Sequence, residues 1–154
     1  MTAVNRLAGF HDPGFTGRNV VPVSNMEISV RRFFEEVWNQ GNVAAAADFL
    51  AAEFTSHNTV DVTVLGPSDY GQSVLDYRVA FPDLRTTRED VFASGDRVAV
   101  RGTDRGTHRG DFMGRPATGR QVTTTWIEIF RIQSGKAVEG WLEMDTRRLL
   151  DQIS

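Results

Sequence analysis

The stretch RGTDRGTHRGDFMGRPATGRQVTTTWIEIFRI, from Arg101 to Ile132, holds two strand-like segments on either side of a Gly-rich turn. Its second segment alternates with the period of two that is typical of a β-strand. One face carries Thr124, Trp126, Glu128 and Phe130, and the other carries Thr125, Ile127, Ile129 and Arg131. Because large apolar side chains occur on both faces, we predict that both are partly covered and that functional residues lie here.

Glu128 is the most unusual residue of this strand. It is flanked by isoleucines along the chain and by Trp126 and Phe130 on its own face. A carboxylate in such surroundings is either paired or protonated, because an unpaired buried charge is expensive. The pattern therefore indicates a candidate acid or base. A structural ion pair with one of the arginines explains the same pattern, so both interpretations stay open.

Composition narrows the classes of protein to consider. The 154 residues suffice for one domain with a single substantial core. A net charge of -3 with scattered arginines gives no nucleic-acid footprint, and no apolar run approaches the roughly 20 residues of a membrane span. We therefore expect a cytoplasmic protein with no nucleic-acid or membrane partner. Without cysteine, and with three histidines that form no cluster, we also predict no metal site and no cofactor.

The N-terminal half reads as an arm followed by helices. Residues 1 to 25 contain three Gly and two Pro without a helical period, which predicts a flexible arm ahead of a domain from residue 26 to 154. Apolar residues at helical spacing predict one helix that begins at Met26, a second that restarts after Gly41 and Asn42 and includes Ala46 to Phe54, and a third from about Ser68 to Ala80.

The C-terminal half reads as strands. Four are predicted, at Thr86 to Ala93, Arg97 to Arg105, Gln121 to Ile132 and Ala137 to Met144. A last short helix follows, for which Asp145 is a good N-cap. Helices first and strands after predict an α+β domain, in which the N-terminal helices cover one face of a curved antiparallel sheet.

Six motifs follow one another along this order of elements. They are HN at His57 and Asn58, FPDL from Phe81, GD at Gly95 and Asp96, GTHRGDFMGRPATGR from Gly106, RIQSGKAVEGW from Arg131 and D-x6-Q-I from Asp145. A single short motif is a weak signal, but six in one order are specific. Together they resemble the SnoaL-like polyketide (ester) cyclase family over about residues 28 to 153.

The resemblance implies the cone-shaped nuclear transport factor 2-like fold, whose concave sheet and helices enclose a ligand cavity and whose outer sheet face forms dimers or tetramers. In the anthracycline cyclases of this family, an aspartate on the last strand is the acid/base for an intramolecular aldol closure, helped by a histidine on the preceding strand. Alignment without gaps places Leu142 at the aspartate position and Glu128 at the histidine position. Since Leu142 cannot move a proton, we expect Glu128 to take over the acid/base work.

Three further residues complete the predicted catalytic set. His108, in the GTH motif, is of the residue type that most often shuttles protons in proteins, although it can equally fasten the Gly-rich turn by hydrogen bonds. His57, near the expected cavity mouth, is either a catalytic or a wall residue. If Arg101 points inward, its guanidinium can pair with Glu128 or hold a substrate oxygen. The predicted substrate-binding residues are Trp126, Phe130, Tyr77, Phe81, Leu142, Met144 and Asn58.

The leading functional prediction is a cofactor-independent cyclase or isomerase of secondary metabolism, of the kind that serves antibiotic biosynthesis. It would act by proton transfer on a polyketide-like or other apolar small molecule and work as a homo-oligomer. Two alternatives stay open. One is an epoxide-opening cyclase or hydrolase, which also needs an acid and a base in a dry cavity. The other is a non-catalytic small-molecule-binding subunit, since a fold does not determine a function.

Overall fold

The protein is described by a computed structural model that covers residues 24–58 and 62–154. Most of the predicted arm, residues 1–23, therefore lies outside the described residues. Ser24 and Asn25, which the arm was expected to include, already belong to the first helix. The Ser24 side chain accepts a hydrogen bond from the backbone N–H of Glu27, and α1 runs over Asn25–Phe33.

α1 continues directly into a π-helix, Phe34–Asn39. Val30, Phe33, Phe34 and Val37 are all buried. The predicted amphipathic helix is confirmed, and its C-terminal part has this rarer geometry.

The second predicted helix is much shorter than expected. A 3₁₀ turn, Val43–Ala45, leads into α2, Ala46–Phe49, and the chain is already a strand from Leu50. Phe54 is therefore a strand residue, and the prediction of a helix up to this position is wrong. The Ala-rich segment favours a helix locally, but its backbone pairs with two other strands instead. The third predicted helix is confirmed as α3, Pro67–Ala80.

Six strands form one sheet within the described residues. They are β1 Leu50–His57, β2 Val62–Leu65, β3 Arg85–Ser94, β4 Arg97–Thr107, β5 Gln121–Gln133 and β6 Lys136–Met144. Their order is β2-β1-β6-β5-β4-β3. β1 runs parallel to β6 while the other neighbouring pairs are antiparallel, so the sheet is mixed rather than purely antiparallel. The predicted α+β class, with N-terminal helices over a curved sheet, is confirmed.

The helices cover one face of this sheet, which we call the inner face. Its centre is aromatic: Phe130 of β5 packs against Phe33, Phe34, Phe49 and Phe54. The opposite, outer face has no cover within the described residues, where Phe92 is 61% and Ile127 is 50% exposed. On this face of β5, Thr125 and Ile127 are exposed while Ile129 and Arg131 are half-buried, so the predicted partial cover of both faces is met along part of the strand.

A second, smaller core lies at the end of the sheet where β4 and β5 are joined by residues 108–120. It contains Ala80, Phe81, Leu84, Val122, Leu149 and Ile153. Leu149 and Ile153 come from α4, Thr146–Gln152, and its residue just beyond. Asp145 accepts a hydrogen bond from the backbone N–H of Arg148, which confirms its predicted role as N-cap. None of the described helices has the length and apolarity that crossing a membrane requires.

Candidate functional site

Glu128 lies on the inner face of β5, opposite Val100 of β4 and Leu142 of β6. Its side chain is buried, with 6% of its surface exposed. Among the described residues, none donates a hydrogen bond to its carboxyl group and no arginine pairs with it. Burial, and to a smaller extent the negative charge of Asp104, raises the pKa of Glu128 to about 8. The group is therefore a carboxylic acid at neutral pH, with its proton available.

Asp104 is the second carboxyl group of the inner face, and it was missed by the sequence interpretation. Its Oδ1 accepts two hydrogen bonds, one from the Thr86 hydroxyl and one from Trp126 Nε1 at 2.8 Å. Burial raises the pKa of Asp104, and the two hydrogen bonds oppose this rise. Asp104 shares the strand phase of Val98 and Val100, and this alternation was the signal that could have revealed it.

Trp126 reaches Asp104 because residue 102 is glycine. A Cβ at Gly102 would come within 2.2 Å of the Trp126 indole. The indole therefore lies flat across β4, where any larger side chain would displace it. Its outer ring atoms stack on Phe34 of the π-helix, with centroids 4.9 Å apart. The glycine and the π-helix thus jointly hold the indole N–H at the carboxylate.

Two tyrosines of α3 face the same interior from the helix side. Tyr70 accepts a hydrogen bond from Trp38 Nε1 at 3.2 Å. Burial raises the pKa of Tyr70 well above its usual value, and the charges of Glu128 and Asp104 add to the rise. Burial and the charge of Asp104 also raise the pKa of Tyr77. Both phenols therefore stay protonated and can act as hydrogen-bond donors near the carboxyl groups.

His108 lies beyond the end of β4, fully buried against Phe81 at a ring distance of 5.6 Å. The ring Nδ1 of His108 bonds to the Thr118 hydroxyl at 3.1 Å. Its backbone N–H donates to the backbone carbonyl of Arg120, and its backbone carbonyl accepts from the backbone N–H of Gly119. These bonds fasten the Gly-rich turn, as the structural alternative expected. No described group pairs with its Nε2, so a catalytic role for His108 stays a prediction.

Arg101 does not point inward. It lies on the outer face of β4, half-exposed, and its Nε donates to Asp90 Oδ2 at 2.6 Å. Its cross-strand neighbour on β5 is Ile127, whereas Glu128 belongs to the opposite face. The expected pairing of Arg101 with Glu128 is therefore wrong, because the phase of the strand puts Gly102 and Asp104 inside instead.

His57 also lies on the outer face, at the end of β1. Its Nε2 lies 2.8 Å from Glu139 Oε1, and its ring stacks on Trp141 at 5.2 Å. Arg131 binds the other oxygen of Glu139 at 3.0 Å. Asn58, the other residue of the HN motif, is exposed. The predicted place of His57 at the mouth of an inner cavity is thus wrong.

The remaining predicted wall residues fall into two groups. Trp126, Phe130, Leu142 and Met144 belong with Glu128 to the inner face. Of these, Phe130 is fully buried among aromatic rings, so it is core, while Leu142 and Met144 are only partly buried. Tyr77 and Phe81 belong with Phe112 to the smaller core. Tyr77 links this group to Asp104 through their electrostatic contact.

A groove of about 360 Å³ lies at the end of β6, mainly on the outer face. Two of the predicted wall residues, Trp126 and Met144, line it. The remaining lining residues are Arg101, Thr125, Ile127, Glu143 and Asp145. Arg101, Ile127 and Glu143 are neighbours on the outer face, so this groove lies chiefly on the side of the sheet away from Glu128.

The assembled inner site contains an acid, a carboxylate, two phenols and apolar walls. Within residues 24–58 and 62–154, no group of three or more His, Asp or Glu side chains has the arrangement of a metal site. The arrangement suits proton transfer at a carbonyl or hydroxyl group of a largely apolar molecule.

Comparison with known proteins identifies the family of this chain. The family profile of the SnoaL-like polyketide cyclases matches residues 28–153. The chain belongs to this family. The aklanonic acid methyl ester cyclase DnrD of Streptomyces peucetius is 26% identical over 113 residues, which are 71% of this chain and 78% of that protein.

Solved structures of SnoaL-like proteins share the fold. The crystal structure of a protein described as a polyketide cyclase, from Acidithiobacillus ferrooxidans, superposes with a TM-score of 0.77. The match covers 86% of this chain and 97% of that chain, with 26% sequence identity. A SnoaL-like polyketide cyclase from Agrobacterium tumefaciens gives a TM-score of 0.73 over 85% of this chain and 99% of that chain. At 18% identity the latter likeness concerns the fold alone.

Proposed function

We propose that this SnoaL-like protein is a cofactor-independent cyclase, which closes a ring in a polyketide-like or similarly apolar small molecule by acid/base proton transfer. Glu128 is the principal acid/base residue. The observation that carries the proposal is the state of this side chain: it is buried, has no described hydrogen-bond donor or cation beside it, and has a pKa of about 8.

The chemistry of an aldol-type closure suits such a group. A carbon–carbon bond forms when a carbonyl carbon is attacked, and its oxygen then needs a proton. A neutral carboxylic acid with a pKa near the working pH is an efficient donor for this step. Glu128 delivers the proton in an apolar site, where the tyrosines Tyr70 and Tyr77 can hold further oxygens of the substrate by hydrogen bonds.

The walls of the site favour a flat apolar substrate. Trp126, Leu142 and Met144 present indole, branched and thioether surfaces beside Glu128. We propose that the substrate binds against these walls, on the helix-covered face of the sheet. A ligand in this position lies against the indole that bonds to Asp104.

The first probe is aklanonic acid methyl ester, the compound named for the relatives in Streptomyces. The wild-type protein should convert it, or a simpler methyl ester of the same polyketone type, to an isomer of unchanged mass with one more ring. Turnover should fall as the pH rises through about 8, because Glu128 then loses its proton. Liquid chromatography with mass detection measures both.

Two other results would redirect the proposal. Conversion of an epoxide with addition of water, and no isomer from any polyketone, would favour the epoxide-opening alternative. Saturable binding without any product, unchanged in Glu128→Gln, would favour the small-molecule-binding subunit. Indole fluorescence follows binding directly, since Trp126 lies in the site.

The cellular setting also belongs to the proposal. We propose a role in secondary metabolism, in the cytoplasm, with the small-molecule substrate as partner and with a second copy of the chain on the outer face. The exposed Phe92 and Ile127 of that face support the homo-oligomer. Sedimentation of the wild-type protein and of Ile127→Glu tests it, and a monomeric wild type would contradict it.

A further inference from the structure

The inner face holds two carboxyl groups whose surroundings differ in one respect. Asp104 has two donors on a single oxygen, from Thr86 and Trp126. Glu128 has no donor among the described residues. Hydrogen bonds from donors favour the ionised form of a carboxyl group, and burial without donors favours the neutral form. When two such groups share a site, the first proton goes to the group without donors.

We propose that Asp104 is a second catalytic residue, which works as the base in its ionised form while Glu128 holds the proton. This inference rests on the proposed function of Glu128 as acid. It assigns the two halves of the proton transfer to two different strands, β4 and β5.

The two carboxyl groups come from adjacent strands and lie at different heights on the inner face. Asp104 lies opposite Thr124, four residues along β5 from Glu128. At roughly 3.4 Å per residue, their α-carbons are about 14 Å apart, and the side chains close part of this distance. Trp126 lies between them on the inner face. Since both donors bind Oδ1 of Asp104, its Oδ2 receives no hydrogen bond from a described residue and is free to face a ligand.

The neighbouring residue Thr124 supports a ligand at this place. Its hydroxyl oxygen is buried and has no hydrogen-bond partner among the described residues. Its side chain is on the inner face, directly opposite Asp104. A buried hydroxyl group without a hydrogen-bond partner is costly unless a ligand or water supplies the hydrogen bond. A substrate oxygen held there would place the adjacent carbon next to Asp104.

The step then balances. Asp104 takes a proton from the donor carbon of the substrate, and the electron pair of that C–H bond forms the new C–C bond to the acceptor carbonyl carbon. The carbonyl oxygen receives the proton of Glu128 and becomes a hydroxyl. Afterwards Asp104 releases its proton and Glu128 regains one from solvent, so the net reaction is an isomerisation that needs no oxidant or further reactant.

Other ionisable groups face the pair. Tyr70 and Tyr77 approach from α3, and both stay neutral because their pKa values are raised. From β3, Arg88 belongs to the inner side but binds Glu35 of the π-helix at 3.2 Å. Leu142 and Met144 of β6 do not titrate. The charge that Glu128 experiences is therefore chiefly that of Asp104.

The deciding experiment follows the Glu128 carboxyl group by carbon-13 NMR as a function of pH, in protein labelled at the glutamate side chains and assigned with Glu128→Gln. In Asp104→Asn, the midpoint of Glu128 should fall by about one unit from its wild-type value, because a like charge is removed while the shape is kept. An unchanged midpoint would overturn the proposal. This result is independent of turnover and so stands apart from the proposed function.

Hydrogen exchange separates the base from the acid. With aklanonic acid methyl ester in D2O, Glu128→Gln should still exchange carbon-bound hydrogen of the substrate while ring closure is lost. Asp104→Asn should lose both. Exchange that persists in Asp104→Asn would overturn the role of Asp104 as base.

A second variant covers the case in which Asp104→Asn does not fold. Thr86→Val removes one donor and leaves the carboxylate, so the pKa of Asp104 should rise. In a plot of turnover against pH, the rise on the acidic side, which reports Asp104, should then move to higher pH. The fall on the alkaline side, which reports Glu128, should stay where it is. If the acidic side of the profile does not move in Thr86→Val, Asp104 is not the base.

Discussion

Glu128 and Glu139 lie on adjacent strands of one sheet, but on opposite faces, and the two faces change their acidity in opposite directions. Burial on the inner face raises the pKa of Glu128 to about 8. On the outer face, hydrogen bonds from His57 and Arg131 lower the pKa of Glu139. The comparison shows that available partners, rather than the residue type, decide which glutamate can act as an acid at neutral pH.

The largest expected effect comes from exchanging Glu128 for glutamine. Glu128→Gln keeps the size and polarity of the neutral acid but cannot release its proton, so turnover should fall by about 10² to 10⁴-fold. Substrate binding, followed by indole fluorescence, should remain.

The matched control is Glu139→Gln, which removes the outer-face ion pairs and should leave turnover within about twofold, because surface pairs contribute little. Similar losses in the two variants would remove the distinction between the faces.

Stability should depend on pH in opposite ways for the two residues. The raised pKa of Glu128 means that its contribution is fully present below the unfolded value of 4.5 and is lost as the pH rises toward 8. Denaturant titrations at several pH values should therefore show wild type losing roughly 3 to 5 kcal/mol relative to Glu128→Gln over this window.

Glu139 gives the opposite sign. Its lowered pKa means that its contribution is present above the unfolded value of 4.5 and is lost as the pH falls through the folded value. The pH dependence of stability should therefore differ between wild type and Glu139→Gln only at acidic pH. A difference that grew toward alkaline pH would contradict the outer-face assignment.

Two inner-face threonines sharpen the account further. Thr86 donates to Asp104, whereas the Thr124 hydroxyl is buried without a described partner. Thr86→Val should destabilise the protein by about 1 to 3 kcal/mol, since a bond to a charged group is lost. Thr124→Val, of the same size change, should be neutral or stabilising in the free protein and should weaken substrate binding. Thermal unfolding and fluorescence titration measure the two effects.

The smallest effects are expected on the outer face. His57→Ala and Arg101→Ala each remove an exposed or half-exposed ion pair. Turnover should stay within about twofold, and stability should change by about 1 kcal/mol or less. A loss of turnover as large as that of Glu128→Gln would restore both residues to the catalytic set that the sequence predicted.

Much of the fold could be predicted from the sequence because its signals are local and periodic. The α1 and α3 helices and the β3–β6 strands follow from apolar spacing. The helix predicted through Phe54 was wrong because pairing with β6 and β2 overrides a helical propensity in an Ala-rich segment. Strand pairing depends on distant residues, which a local pattern does not contain.

The site could be predicted only in part. Glu128 was found because a single acidic residue interrupts an apolar face. Asp104 was missed and Arg101 was misplaced for one reason: the phase of β4 was read from its arginines instead of from Val98 and Val100. The contacts that give Asp104 its role, from Thr86 and Trp126, join three strands and depend on the space above Gly102.

The most direct test of the whole account is the pH titration of the Glu128 carboxyl group in the wild-type protein by carbon-13 NMR. We expect a midpoint near 8, set by burial on the inner face. A midpoint near 4.5, the ordinary value for glutamate, would contradict it.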